Sequence, residues 1–154
     1  MIRKLFIIFA ISLSCTLAFS QIKRIDKGGK EFSKLSILGV DYFRVTQQED
    51  GGYLFMFLHD ANENMLDWGF FQVNTAADFD DLYAYFEEGF TRDKTIHTPI
   101  ILEINNNIVE LQFGNGIGAK SVIIFVSDKN DRLFSKRSSS LSFKQIKKVF
   151  KKNH

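Results

Sequence analysis

A train of short apolar runs constrains this chain more than any other feature. Lys34 to Leu38, Tyr42 to Thr46, Tyr53 to His59, Trp68 to Val73, Ile100 to Ile104, Ile108 to Phe113, Ser121 to Val126 and Leu133 to Lys136 are rich in β-branched and aromatic residues. Each is too short for a stable helix, and turn-forming clusters such as "QEDGG", "DANEN", "NNN" and "DKND" separate them. Runs of this kind read as strands. Two segments depart from the pattern with apolar residues at helical spacing. Ala77 to Glu88 places Phe79, Leu82, Tyr83 and Phe86 on one face, and Phe143 to Lys152 does the same with Phe143, Ile146 and Phe150. Thr75 with Asp78, and Ser142 with Gln145, supply the reciprocal side-chain pair that satisfies free N–H groups at a helix start.

The order of these elements repeats. With Asp60 set over Asp128, the halves correspond without a gap from Phe43/Leu111 to Asn62/Asn130, and Phe79, Leu82 and Phe86 fall opposite Phe143, Ile146 and Phe150. The expected fold is therefore α+β: mostly antiparallel sheet of about eight strands with two helices, in a pseudo-twofold repeat of ββββα. The strands form either one sheet or two four-stranded sheets, with the helices on their apolar faces. In layout alone this is similar to the pseudo-symmetric sheets of the TATA-binding-like and β-lactamase-inhibitor-like folds. No sequence motif of either is present, so the likeness implies architecture and no activity. Alternation in Tyr53–Leu58 makes both sheet faces apolar: Tyr53, Phe55 and Phe57 on one, Leu54, Met56 and Leu58 on the other. One face can pack on helices; the other needs a second layer, a homodimer partner or an apolar ligand.

With 154 residues, 45% hydrophobic, the chain supports one buried core rather than two. Residues 1–20 stand apart from it. Arg3 and Lys4 precede an apolar stretch from Leu5 to Leu13, and Ala18-Phe-Ser20 ends it, the pattern of a secretory signal peptide cleaved between Ser20 and Gln21. The apolar run is well short of the roughly 20 residues that span a bilayer. The alternative is a lipoprotein anchored through Cys15, although Ser12 stands where a lipobox wants an aliphatic residue. Cys15 is the chain's one cysteine, so cleavage after Ser20 leaves no disulfide and no thiolate chemistry. The expected organisation is a polar lead over 21–33 and a single domain over 34–152, its halves spanning 34–90 and 96–152. Charge divides between them: residues 21–95 carry 8 bases and 14 acids, residues 96–154 carry 10 bases and 4 acids.

The chemical motifs are imperfect. "GNGIGAKS", Gly114 to Ser121, approaches the phosphate-binding G-x-x-x-x-G-K-[ST], yet Ala119 replaces the last glycine and a strand-like run follows where a helix N-terminus is needed. It reads as a hairpin connection, with no nucleotide and no other cofactor expected. Asp60, Asn62 and Asn64 copy the start of a calcium loop, but Met65 and Phe71 occupy positions that require Gly and Glu; turns, and no metal, are expected. His59, His97 and His154 have no zinc-ligand spacing. Glu103 and Glu110 can meet across the "NNN" hairpin as a carboxylate pair. The basic face Lys144, Lys147, Lys148, Lys151 and Lys152 is the candidate binding surface, suited to an anionic surface or acidic protein. Export and the lack of interleaved aromatics argue against nucleic acid. Two functions follow as expectations: an exported, non-enzymatic binding domain, or a small secreted or periplasmic enzyme using carboxylates as acid and base.

Overall fold

Residues that alternate apolar and polar on a pleated strand bury one face, and in this chain they do so twice. A computed structural model describes residues 29–60, 67–93, 98–115, 119–133 and 135–152. Strands β1 (Lys30–Ile37), β2 (Val40–Gln47), β3 (Tyr53–Leu58) and β4 (Trp68–Val73) form an antiparallel four-stranded sheet in sequence order, and helix α1 (Ala76–Thr91) follows. Strands β5 (Ile100–Ile104), β6 (Asn107–Asn115), β7 (Lys120–Asp128), β8 (Ser135–Arg137) and β9 (Leu141–Ser142) form a second antiparallel sheet, and helix α2 (Phe143–Val149) follows. The protein is thus α+β with ββββα units, and its strands make two sheets. In the second unit β8 and β9 both pair with β7 and share the role of a fourth strand. Ser138 interrupts it: its backbone N–H donates to the Ile124 carbonyl at 2.8 Å, and its hydroxyl oxygen accepts the Ile124 N–H at 3.0 Å.

Buried apolar residues from both sheets and both helices form one continuous cluster. The first sheet contributes Phe43, Val45, Phe55, Phe57 and Phe71, and the second Val109, Leu111, Val122 and Ile124. The helices bridge the sheets. Phe79 of α1 stacks on Tyr53 at 4.1 Å between ring centroids, whereas Phe90, near the other end of α1, meets Phe113 of β6 edge-on at 5.3 Å. Gly89 lets α1 approach β6 closely, since an added Cβ would lie 2.0 Å from the Phe113 ring. Phe150, just after α2, reaches back to Phe55, Phe79, Tyr83 and Phe86 of the first unit. Polar contacts also join the units. Arg137 donates its backbone N–H to His59 Nδ1 at 3.0 Å and its guanidinium to the Asp60 carbonyl at 2.9 Å, and Lys136 pairs with Asp67. Asn105 donates to the Gln72 carbonyl at 2.7 Å.

Both capping boxes form as their sequences direct, at Thr75/Asp78 and Ser142/Gln145. Several details differ from the sequence reading. The end of the polar lead is strand: β1 begins at Lys30, and Phe32, unpaired at a register shift, turns its ring onto Tyr53 and Phe79. Such an extra residue re-aims a side chain that strict alternation would send outward. Leu38, taken as strand, is instead a turn residue. The last strand of the repeat starts at Ser135 rather than Leu133, which is exposed. Finally, α2 is shorter than the Phe143–Lys152 expected. Lys151 takes φ 54°, and the bonds Lys151 N–H to Lys148 O and Lys152 N–H to Lys147 O close the helix in a Schellman arrangement. Because the caps set the register, Ile146 and Val149 are the buried counterparts of Phe79 and Leu82; the match of Phe79 with Phe143 slips by one turn.

A lysine-rimmed groove as candidate functional site

The basic face divides once its partners are seen. Lys147 lies over the Phe143 ring at 5.2 Å, Lys151 over Phe32 at 4.1 Å, and Lys152 bonds Asp80 of α1 at 3.0 Å beside Tyr83. These three cations face the protein's own rings and acid. Lys144 and Lys148 are exposed, and among the described residues neither belongs to an ion pair. They stand one helical turn apart on the rim of a groove of about 510 Å³ between α2 and the far end of the β1–β2 hairpin, lined also by Leu35, Ser36, Ile37, Tyr42 and Gln145.

Each wall of the groove has a local cause. Tyr42 is the extra residue at a second register shift, between Leu35/Phe43 and Ser36/Asp41, and the bulge turns its phenol to accept from Gln145 Nε2 at 2.8 Å. Gln145 is itself fixed, because its Oε1 accepts the Ser142 N–H at 2.7 Å as half of the capping box. On the hairpin, Ser36 donates to Asp41, and Arg44 donates to the same carboxylate at 2.7 Å. The Ser36 hydroxyl foremost, and then Arg44, hold the Asp41 carboxyl below its usual range. Glu31 and Lys34 complete this cluster, whose two acids offset its two bases. The positive charge at the groove therefore comes from Lys144 and Lys148.

Beyond the groove the hairpin ends in an aliphatic tip. Ile37 is 62%, Leu38 100% and Val40 56% exposed. Ile37 pairs with Val40, so Leu38 and Gly39 form a two-residue turn, with φ 51° and 83°. Positive φ at both positions is the requirement of a type I′ turn, which favours Asn-Gly. Gly39 meets that requirement freely. Leu38 does not, and a left-handed conformation costs an L-residue about 1–2 kcal/mol. The tip was missed in the sequence because "ILGV" reads as strand end and loop. Its available sign was two apolar strands separated by two residues, the second a glycine.

The other candidates are dispersed. In the near-P-loop, β7 follows the loop antiparallel to β6, with Gly114 opposite Ser121. Its lysine closes α1: Lys120 Nζ donates to the Arg92 and Phe90 carbonyls at 2.6 and 3.2 Å, a cation at a helix C-terminus. His59 is an acceptor in the clasp between the units, and Phe71 of the calcium-like loop lies in the core. Asp128 accepts the Asn130 N–H at 2.7 Å, the Asx turn its sequence suggests. Glu103 and Glu110 are diagonal neighbours on one face of β5–β6, but Glu103 pairs with Lys129 and Glu110 accepts from Gln112. Glu103 also borders a hollow of about 400 Å³ with Asp78, Asp81 and Tyr85. Among the described residues no group of His, Cys, Asp and Glu is arranged to hold a metal, and no helix is long and apolar enough to cross a membrane. Cys15, the Ser20–Gln21 cleavage point, Asn62, Asn64, Met65, His97 and His154 lie outside the described residues.

The outer face of the first sheet is a further apolar surface. Tyr53, Phe55 and Phe57 are buried, as expected of the inward face, while Leu54, Met56 and Leu58 on the outward face are only half-buried beside Phe70, which is 50% exposed. Compared with protein-family models, curated proteins and solved structures, the chain matches none.

Proposed function

We propose that this protein is an exported, non-enzymatic binding domain whose ligand site is the groove between the β1–β2 hairpin and α2, and that the ligand is an anionic amphiphile. The observation that carries this reading is the union of an aliphatic wall, Leu35 and Ile37, with two rim lysines that have no ion-pair partner among the described residues. An apolar body would bury against the wall, which stabilises by about 25 cal/mol per Å². A carboxylate or phosphate headgroup would sit between Lys144 and Lys148. Export rests on the N-terminal pattern and is tested by the mass of the mature protein. A start at Gln21 agrees with it, and a diacylated Cys15 would replace it with a membrane-anchored lipoprotein.

The enzymatic reading draws on the hollow of Asp78, Asp81 and Glu103. It is weaker because Asp78 already caps α1 and Glu103 already pairs with Lys129. Titration calorimetry tests the binding reading, with dodecanoate below its micellar concentration set against the neutral dodecyl maltoside. Saturable binding of dodecanoate, weakened about tenfold in K144Q/K148Q, is expected from about 0.7 kcal/mol for each exposed ion pair. Equal binding of the two amphiphiles, or of wild type and variant, would remove the proposal.

A further inference from the structure

The turn residue Leu38 points to what the groove faces. Its side chain is wholly exposed, and its backbone is held at φ 51°, so the residue adds nothing to the core while weakening the turn. Local choices that oppose the fold's own preferences concentrate at functional positions. Ile37 and Val40 flank it, making a convex aliphatic tip, with Lys144 and Lys148 on the groove rim beside Ile37.

We infer that the tip and the two lysines dock the protein on an anionic lipid bilayer, with Ile37, Leu38 and Val40 entering the interface and the lysines meeting the headgroups. The inference rests on the groove reading above and names the source of its amphiphile. Membrane-surface binding scales with inserted apolar area plus attraction to anionic lipid, and a lysine can keep its ammonium at the headgroups while its methylenes lie along the apolar layer. Composition favours lipid over a protein partner. Protein interfaces are depleted of Lys, and their energetic centres are enriched in Trp, Tyr and Arg while Leu and Val are scarce. The tip has the reverse composition. Protein-like composition occurs instead on the outer face of the first sheet, where Arg44 pairs with Met56 and Met56 with Phe70.

Flotation of the mature protein with vesicles tests the docking. Vesicles of three parts phosphatidylglycerol to seven of phosphatidylcholine are compared with pure phosphatidylcholine, in 50 and 500 mM salt. Binding to the anionic vesicles alone, falling with salt, is expected. L38N should reduce the partition coefficient tenfold or more while unfolding at the same or a higher temperature, because Asn suits the turn. K144Q/K148Q should reduce it by about twenty-five-fold, from roughly fivefold for each lysine at an anionic surface. Equal binding to neutral vesicles, or undiminished binding by folded L38N, overturns the inference. Saturable dodecanoate binding without vesicle binding overturns the docking and leaves the groove reading intact; loss of both removes both. Self-association that L38N abolishes, without vesicle binding, would identify a second copy as the occupant and likewise overturn the docking.

Discussion

Truncating Phe150 to alanine tests whether the two units stabilise one another. The side chain follows the second helix, yet its ring lies 4.6 Å from Phe79, 5.4 Å from Tyr83, and 5.6 Å from Phe55 and Phe86, centroid to centroid, all in the first unit. It is 2% exposed. Removing a buried phenylalanine costs about 3–5 kcal/mol, the lost transfer free energy plus the cavity its neighbours only partly fill. Four lost ring contacts place F150A toward the upper end, since such pairs add about 0.5–1.5 kcal/mol beyond area. For a folded region of this size, that lowers the melting temperature by roughly 10–20 °C. Trp68, the chain's one tryptophan, stands at the start of β4 and reports the first unit. Urea unfolding should be followed by tryptophan fluorescence and by far-ultraviolet circular dichroism. Both midpoints should fall together in F150A, with one transition by each probe. A fluorescence midpoint left at the wild-type value would mean that the first unit is stable without the second, and would refute the shared core.

Other perturbations follow from named contacts. Alanine for glycine inside a helix normally stabilises by about 1 kcal/mol, but G89A drives a methyl group into the Phe113 ring, which Phe90 backs. Overpacking costs about 1–3 kcal/mol, so the urea midpoint should fall, and a rise would contradict the packing of α1 on β6. Asp41 and Asp67 have carboxyl pKa values lowered chiefly by the hydrogen bonds from Ser36 and Lys136. Their stabilising effect is complete above the unfolded value of about 3.9 and is lost as pH falls through the lower folded values. D41N/D67N should therefore flatten the decline in melting temperature below pH 4, and an unchanged acid limb would argue against these bonds. L38N should stabilise the hairpin by about 0.5–1 kcal/mol by relieving the left-handed leucine, measurable as a melting-temperature rise of a few degrees; a fall would show that Leu38 packs on the protein.

Strands, caps and the buried alternation of Tyr53–Leu58 were legible in the sequence because each depends on residues close together in the chain. Thr75 and Asp78 make a cap three residues apart, and Phe55 and Phe57 share a face by the pleat alone. Contacts between distant residues left no such trace. The bulges that turn Phe32 and Tyr42 inward add one residue to a strand without altering its composition. The five lysines near α2 looked equivalent as a charge run. What separates them is Phe32 under Lys151 and Asp80 beside Lys152, both far away in sequence. Leu38 was hidden for another reason: leucine is a poor residue for the turn it occupies, so turn propensity gave no sign of it.

The groove's role as the binding site is tested most directly by mapping, through ¹H–¹⁵N correlation spectra of the protein titrated with monomeric dodecanoate. Saturable shifts should gather at Ser36, Ile37, Tyr42, Gln145 and Lys148, with the opposite surfaces unmoved. Shifts confined to Leu54, Met56 and Phe70 on the outer sheet face, or to Asp81 and Tyr85 in the acidic hollow, would contradict it.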